Sequence, residues 1–165
     1  MTLLGHLIVS NSRDTSRRIK YLVDSCREEC RIQFVVEPER RLSALHRAAW
    51  AHSEVRLFNG KELSTEDFDM SLNRDTFHTL LEIFDTPEQR NMKNLISGRT
   101  ALHLALEAHN WRVVHELVQI GVDREIMDDA NETPLSMAQR LLEEAARRGQ
   151  SAPQLELCRD LLSQV

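Results

Sequence analysis

The sequence predicts an all-α fold, a helical solenoid of about four stacked helix–turn–helix units with short hairpin loops. Three observations predict it. A phrase around Thr100 returns 33 residues later at Thr133. The apolar residues between the two phrases follow helical spacing. The chain of 165 residues also has only five glycines, four prolines and 5% aromatic residues. Two short helices cannot close a core alone, so each unit must pack on a similar neighbour.

The clearest unit runs from Gly98 as GRTALHLALEAHNWRVVHELVQIGVD. It holds two apolar stripes at helical spacing, one around Leu102 and one around Val114, separated by a break at His-Asn. Gly121 follows the second stripe, as a glycine that ends a helix does. The phrase returns as NETPLSMA, stands upstream as RLSALHRAAW, and has a weaker match in TLLGHLIVSN. These four phrases predict four units.

The phrases resemble the ankyrin repeat, whose signature is Gly-x-Thr-Pro-Leu-His-x-Ala. The third unit carries it as Gly98, Thr100, Leu102, His103 and Ala105. The resemblance implies that Thr or Ser caps the first helix of each unit. It also implies that His46 and His103 tie neighbouring turns together by hydrogen bonds and have no catalytic role. The other units depart from the signature, with Arg41 and Asn131 in the Gly place and Ser136 in the His place.

The resemblance covers nearly the whole chain as one domain, with units at 1–37, 38–94, 95–127 and 128–165. The second unit departs most from the signature. It contains an acidic insertion at 57–74, which we expect to be functional or to cover a groove that the stacked units would otherwise leave open. Its first helix is expected from Ala44 to about Val55 and its second from Asp75 to Phe84. The last unit is expected to end the row as a cap, with helices from Pro134 to about Arg148 and from Pro153.

Composition bounds the function. The 41% hydrophobic and 28% charged residues are ordinary for a soluble globular protein. A net charge of −5 argues against a surface that holds a nucleic-acid backbone. The opening MTLLGHLIV is too short for a signal peptide, and no stretch approaches the roughly 20 apolar residues of a membrane span. Three cysteines without framework spacing indicate a reducing compartment. We therefore expect a cytoplasmic or nuclear chain with no membrane or direct nucleic-acid partner.

Signs of catalytic chemistry are few. The sequence has no phosphate loop, no Gly-x-Ser-x-Gly and no paired metal ligands. Cys26 and Cys30 are four residues apart, but zinc would need two further ligands at matching spacing. Carboxylate pairs such as Asp128-Asp129 are interpreted as solvated surface residues. We expect no enzyme activity, no metal and no cofactor.

The resemblance implies a protein–protein interaction module that binds a partner protein or peptide in a concave groove. Family contacts concentrate in the turn before Thr, at the residue just before Thr, and seven and eight residues after it. Carried over to this chain, these positions are Glu39, Arg40, Leu42, Trp50 and Ala51 in the second unit, Ile96, Ser97, Arg99, Glu107 and Ala108 in the third, and Asp129, Ala130, Glu132, Arg140 and Leu141 in the fourth.

Two further interpretations stay open at the level of the sequence. Irregular repeats with insertions also occur in ankyrin domains of transcriptional regulators and inhibitors, and such a domain can be the binding part of a larger enzyme. Within the groove, Trp50 is expected either to dominate partner binding or to pack in the core, and the sequence favours neither. Trp111 opens a second helix, where the resemblance implies a packing residue.

Overall fold

The computed structural model describes residues 14–25, 35–37, 42–54 and 70–163, and in these ranges the fold is almost entirely helical. The predicted all-α class is confirmed. The helices are α1 (Thr15–Ser25), α2 (Ala44–Glu54), α3 (Met70–Ile83), α4 (Pro87–Arg90), α5 (Ala101–Glu107), α6 (Trp111–Gln119), α7 (Pro134–Arg147) and α8 (Pro153–Ser163). Two short strands, β1 (Val35–Glu37) and β2 (Leu42–Ser43), pair antiparallel just before α2.

The helices of successive units pack side by side. The first helices form one series, in which α2 contacts α5 and α5 contacts α7. Within units, α2 packs on α3 and α5 on α6, while α8 covers both α6 and α7. Helix α1 contacts α3, as a second helix of the first unit would. The predicted phrase at Thr2 lies outside the described residues.

The second unit differs from expectation at one boundary. Helix α3 begins at Met70, five residues before the expected start at Asp75, so residues 70–74 of the predicted insertion are helical. No glycine or proline interrupts this stretch, so nothing in it stops the helix from extending backwards. Residues 57–69 lie outside the described part of the chain. The core side of α3 carries Phe77, Leu80 and Phe84, each at most 1% exposed.

Local chemistry explains where the helices begin and end. Thr133 accepts a hydrogen bond from the Ser136 N–H at 3.3 Å, and Pro134 fills the first turn, where no N–H partner is needed. At the predicted His-Asn break, His109 takes a positive φ of 54° and Asn110 caps α6. Gly149 follows α7 with a φ of 66°. The helix pairs predicted for the last two units are therefore observed with nearly the expected bounds.

None of the helices in the described ranges combines the length and the apolar character needed to cross a membrane. The same ranges contain no group of three or more potential metal ligands. Cys26 and Cys30 lie outside them.

Candidate binding surface

A buried histidine joins the second unit to the third. The His46 Nδ1 atom accepts the Ser43 N–H at 3.1 Å and lies 2.7 Å from the Ser43 hydroxyl. The Nε2 atom of the same ring lies 3.1 Å from the carbonyl oxygen of Arg99, in the next unit. A backbone N–H can only donate and a carbonyl can only accept, so the ring is neutral with its proton on Nε2.

The joint between the third and fourth units repeats this geometry. The His103 Nδ1 atom accepts the Thr100 N–H at 3.3 Å and lies 2.9 Å from its hydroxyl oxygen. Its Nε2 atom lies 3.1 Å from the Glu132 carbonyl oxygen. The predicted tie between neighbouring turns is thus observed at both histidines. In the fourth unit, Ser136 donates instead to the carbonyl of its own Thr133 at 2.9 Å.

Burial keeps both rings neutral. It lowers the pKa of His46 to about 4, and it also lowers the pKa of His103. A proton added to Nδ1 would face a backbone N–H that already points at that atom. The histidines therefore belong to the framework that holds the surface and not to the surface itself.

The two turns beside these joints share an unusual backbone conformation. Gly98 has a φ of 64° and Asn131 a φ of 59°, each two residues before its Thr. Asparagine is one of the few residues with a side chain that tolerates this left-handed region, so it replaces the usual glycine without changing the turn. The Asp129 N–H donates to the Ser97 carbonyl at 3.0 Å, which fixes one turn against the other.

Asp128 corrects the sequence interpretation, because it is not solvated. It is 4% exposed, and its Oδ1 atom accepts the N–H groups of Ala130 at 2.8 Å and Glu132 at 3.0 Å. Its Oδ2 atom accepts the Arg99 Nε–H at 3.2 Å. Burial alone would raise the pKa of this carboxyl, but the hydrogen bonds from Glu132, Arg99 and Ala130 hold it below its usual value.

Asn94 has the same role in the preceding turn, and it was not among the residues that the sequence predicted. Its side chain is buried, and its Oδ1 atom accepts the N–H groups of Ile96 at 3.0 Å and Ser97 at 2.9 Å. Asn and Asp bond to backbone N–H groups two or three residues ahead in many turns. An Asn or Asp five or six residues before the Thr was the signal that could have identified both residues.

Four of the predicted contact residues pair with one another. In the third unit the Arg99 Nη1 atom lies 2.9 Å from Glu107 Oε2. In the fourth unit the same two positions hold the opposite charges, and Arg140 binds both carboxylate oxygens of Glu132, at 2.7 and 3.1 Å. Arg140 also binds Glu144 at 2.8 Å. In the third and fourth units the first helix is therefore linked to the residue just before its Thr.

In the second unit these two positions are apolar. Leu42 is only 4% exposed and belongs to the core, so its side chain cannot serve as the contact that the resemblance implied. The physical reason is that β2 brings it directly against the start of α2. Trp50 is half-buried and packs against the core, nearer to the packing alternative than to a free hot spot. Ala51 lies in α2, while Glu39 and Arg40 lie outside the described residues.

Large apolar side chains are exposed on the two neighbouring turns. Leu95 is 62% exposed, Ile96 is 59% exposed and Met127 is 52% exposed. We call these three residues the turn patch. Leu95 and Met127 are each two residues from the hydrogen bond that joins Ser97 to Asp129. Of the other residues carried over from the resemblance, Asp129 and Ala130 are exposed, Ser97 and Ala108 are half-buried, and Leu141 packs against the core.

Trp111 is not the packing residue that the resemblance implied. It is 36% exposed, and the guanidinium carbon of Arg112 stands 5.4 Å from the centre of its ring. It is the first residue of α6 and therefore lies at the end of the helix. It faces an open cleft of about 350 Å³ that is lined by Trp111, His115, Leu157, Cys158, Asp160 and Leu161. Burial raises the pKa of the Cys158 thiol to about 11, so this group is protonated at neutral pH.

Comparison with known proteins identifies the unit at the centre of this surface. The family model for the Ankyrin repeat matches residues 97–129. The matched segment begins beside the turn patch, includes α5 and α6, and ends in the next turn. No curated protein matches the sequence.

Proposed function

We propose that this chain, in which residues 97–129 match the Ankyrin repeat, binds a partner protein or peptide through its turns and the adjoining ends of its first helices. Ankyrin repeats are in general protein–protein interaction modules. We assign the leading role in this contact to the turn patch. The charged pairs behind it have a secondary role.

The exposed apolar side chains of the turn patch carry this proposal. Isolated exposed apolar residues are ordinary, but Leu95, Ile96 and Met127 lie on two turns that are bonded to each other. Covering such side chains contributes roughly 25 cal/mol for each Å² of apolar surface removed from water. Buried Asn94 and Asp128 fix the backbone of each turn, so little conformational freedom remains to be lost on binding.

The charged pairs support specificity more than affinity. Arg99, Glu107, Glu132 and Arg140 already have partners within the chain. Partly exposed pairs of this kind contribute little stability, and a partner would have to match or replace them. Opposite charges at equivalent positions of adjacent units give the surface an alternating pattern. A ligand with the reverse pattern would be preferred over one with like charges.

A matched pair of variants tests the assignment. The tagged full chain, an Ile96→Glu/Met127→Glu variant and a Leu157→Glu control are used to capture proteins from a cell extract, which mass spectrometry identifies. Leu157 is 58% exposed on α8, so the control adds a charge at an equally exposed apolar site away from the turns. Affinity for each purified partner is then measured by calorimetry.

We expect the double turn variant to bind at least tenfold more weakly, with its melting temperature unchanged. The Leu157 variant should bind like the original chain. If the turn variant kept its affinity and the Leu157 variant lost it, binding would belong to the side of α8 and the proposal would be wrong.

A further inference from the structure

The sequence contains two Thr-Pro dipeptides, at Thr86-Pro87 and at Thr133-Pro134. They share a backbone conformation, because both threonines are extended and both precede a helix. The φ and ψ angles are −101° and 149° at Thr86 and −79° and 161° at Thr133. The segments around the two threonines differ in how many contacts hold them to the rest of the chain.

The segment around Thr86 is open to solvent. Asp85, Pro87 and Glu88 are exposed, and Thr86 itself is half-buried. Two hydrogen bonds hold the threonine, and both are long. The Gln89 N–H reaches its hydroxyl oxygen at 3.4 Å, and the Gln89 side chain reaches its N–H at 3.5 Å. Bonds of this length are near the outer limit and weak.

The segment around Thr133 is held in the joint between two units. Pro134 is buried. The residue before the threonine is Glu132. Its backbone carbonyl accepts a hydrogen bond from the His103 ring, and its carboxylate accepts one from Arg140. A protein that bound Thr133-Pro134 as an extended strand would have to break these contacts first. Thr133 is thus a built-in control for Thr86.

We propose that Thr86 is a phosphorylation site for proline-directed protein kinases and that Thr133 in the folded chain is not. Proline offers no N–H and has a fixed φ, so a kinase can select it with an apolar pocket that has no hydrogen-bond acceptor. The Thr86 hydroxyl oxygen forms a bond to the γ-phosphorus of a nucleoside triphosphate. The bond from that phosphorus to the bridging oxygen breaks, the nucleoside diphosphate leaves, and the hydroxyl proton passes to the kinase's catalytic Asp.

The modification would change the connection between the second unit and the turn patch. A phosphothreonine carries a charge of about −1.5 to −2 at neutral pH. Arg90 is four residues further on along α4, and its Nε–H now donates to the Phe84 carbonyl at 2.6 Å. A phosphate is a stronger acceptor for arginine than a carbonyl oxygen, so it competes for this side chain. The added charge lies in the segment that leads to Asn94 and the patch.

The test uses the full chain, a purified proline-directed serine/threonine kinase and ATP, with sites mapped by mass spectrometry. We expect one added phosphoryl group, on Thr86. Thr86→Ala should remove it, and Pro87→Ala, which keeps the hydroxyl, should slow it at least tenfold. Circular dichroism of each variant confirms that the fold is kept. Synthetic peptides of residues 81–93 and 128–140 show what the same kinase does without the fold.

Each other outcome overturns the proposal. Equal labelling of Thr133 and Thr86 in the folded chain would show that the joint does not protect Thr133. Labelling of the 81–93 peptide but not of the chain would show that Thr86 is inaccessible. Absence of labelling in that peptide would show that the sequence around Thr86 is not a substrate for this class of kinase.

Discussion

The joint between the second and third units and the joint between the third and fourth use the same bond in different surroundings. In each, a neutral histidine reaches a carbonyl oxygen of the next unit at 3.1 Å. Beside the first joint lies buried Leu42, the neighbour of Ser43. The second has the ion pair of Arg99 with Asp128 and the bond from Asp129 to Ser97. The repeated phrase thus determines the link between units, while residues outside it determine whether apolar or ionic contacts hold the turn.

Acid should weaken both joints, and this is the largest effect we expect. The pKa of His46 is about 4 in the folded chain and lies near 6.5 in the unfolded chain. Between these values the unfolded chain binds more protons, so the stability that is fully present above pH 6.5 falls as the pH drops towards 4. His46 alone accounts for a loss of about 3 kcal/mol, and His103 adds to it in the same direction.

Urea unfolding at a series of pH values measures this loss. The His46→Gln variant should be less stable at pH 7 but should show a shallower pH slope, because glutamine does not titrate. The matching change at His103 should also flatten the slope, because burial lowers the pKa of that ring too. An unchanged slope in both variants would mean that other groups cause the acid sensitivity.

Gly98 and Asn131, which both have a positive φ, should differ in how much stability a substitution costs. An added Cβ at Gly98 would lie 2.1 Å from the Asp129 side chain and 3.0 Å from its backbone nitrogen, beside the second joint. We expect Gly98→Ala to cost about 2 to 3 kcal/mol, from backbone strain and from displacement of Asp129. Asn131→Gly should change stability by less than about 1 kcal/mol, because both residues accept the positive φ. Thermal melts of the two variants measure the difference.

Adding Asp129→Ala to Gly98→Ala separates the two causes. The double variant should recover the part of the loss that comes from the side-chain clash and retain the backbone strain. A double variant as unstable as Gly98→Ala alone would assign the whole cost to backbone strain and to the close backbone nitrogen.

Replacing Arg99 or Arg140 should give the smallest of these differences in stability, with the larger loss at Arg99. Arg99→Ala removes the guanidinium from Asp128, whose side chain is 1% exposed, and we expect a cost of about 2 kcal/mol. Arg140 is 38% exposed and its partners are half-buried, so Arg140→Ala should cost about 1 kcal/mol or less. Unfolding at low and high salt measures both, and salt should reduce the Arg140 effect more. A larger cost at Arg140 would contradict this ranking of the two sites.

The sequence predicted those features that depend on a repeated local pattern. The all-α class, the pairs α5–α6 and α7–α8 and the role of the two histidines all follow from the phrase around Thr100 and its returns. The phrase carries this information because each of its residues acts within its own unit or on the next one. At Asn131 the sequence departs from the signature, and the structure shows that the backbone conformation stays that of glycine.

The remaining features depend on contacts that the pattern does not encode. Asp128 was interpreted as solvated because nothing in the sequence shows that Arg99, 29 residues away, donates to it. Leu42 and Trp111 were assigned from their positions in the unit, but burial depends on what the neighbouring elements cover. The start of α3 at Met70 was missed because the expected unit length placed it at Asp75. The pairing of Arg99 with Glu107 is visible only once α5 is built.

The bond from each histidine to a backbone carbonyl has an evolutionary consequence. Arg99 supplies its carbonyl to His46 and, independently, its side chain to Glu107 and Asp128. Any amino acid offers the same carbonyl, so mutation can exchange the side chain at this position while the units remain joined. The histidine bond therefore does not constrain the residue just before each Thr or Ser, although a new side chain there must still fit its own surroundings, such as buried Asp128 beside Arg99. Leucine, arginine and glutamate already occupy it in three units of one chain.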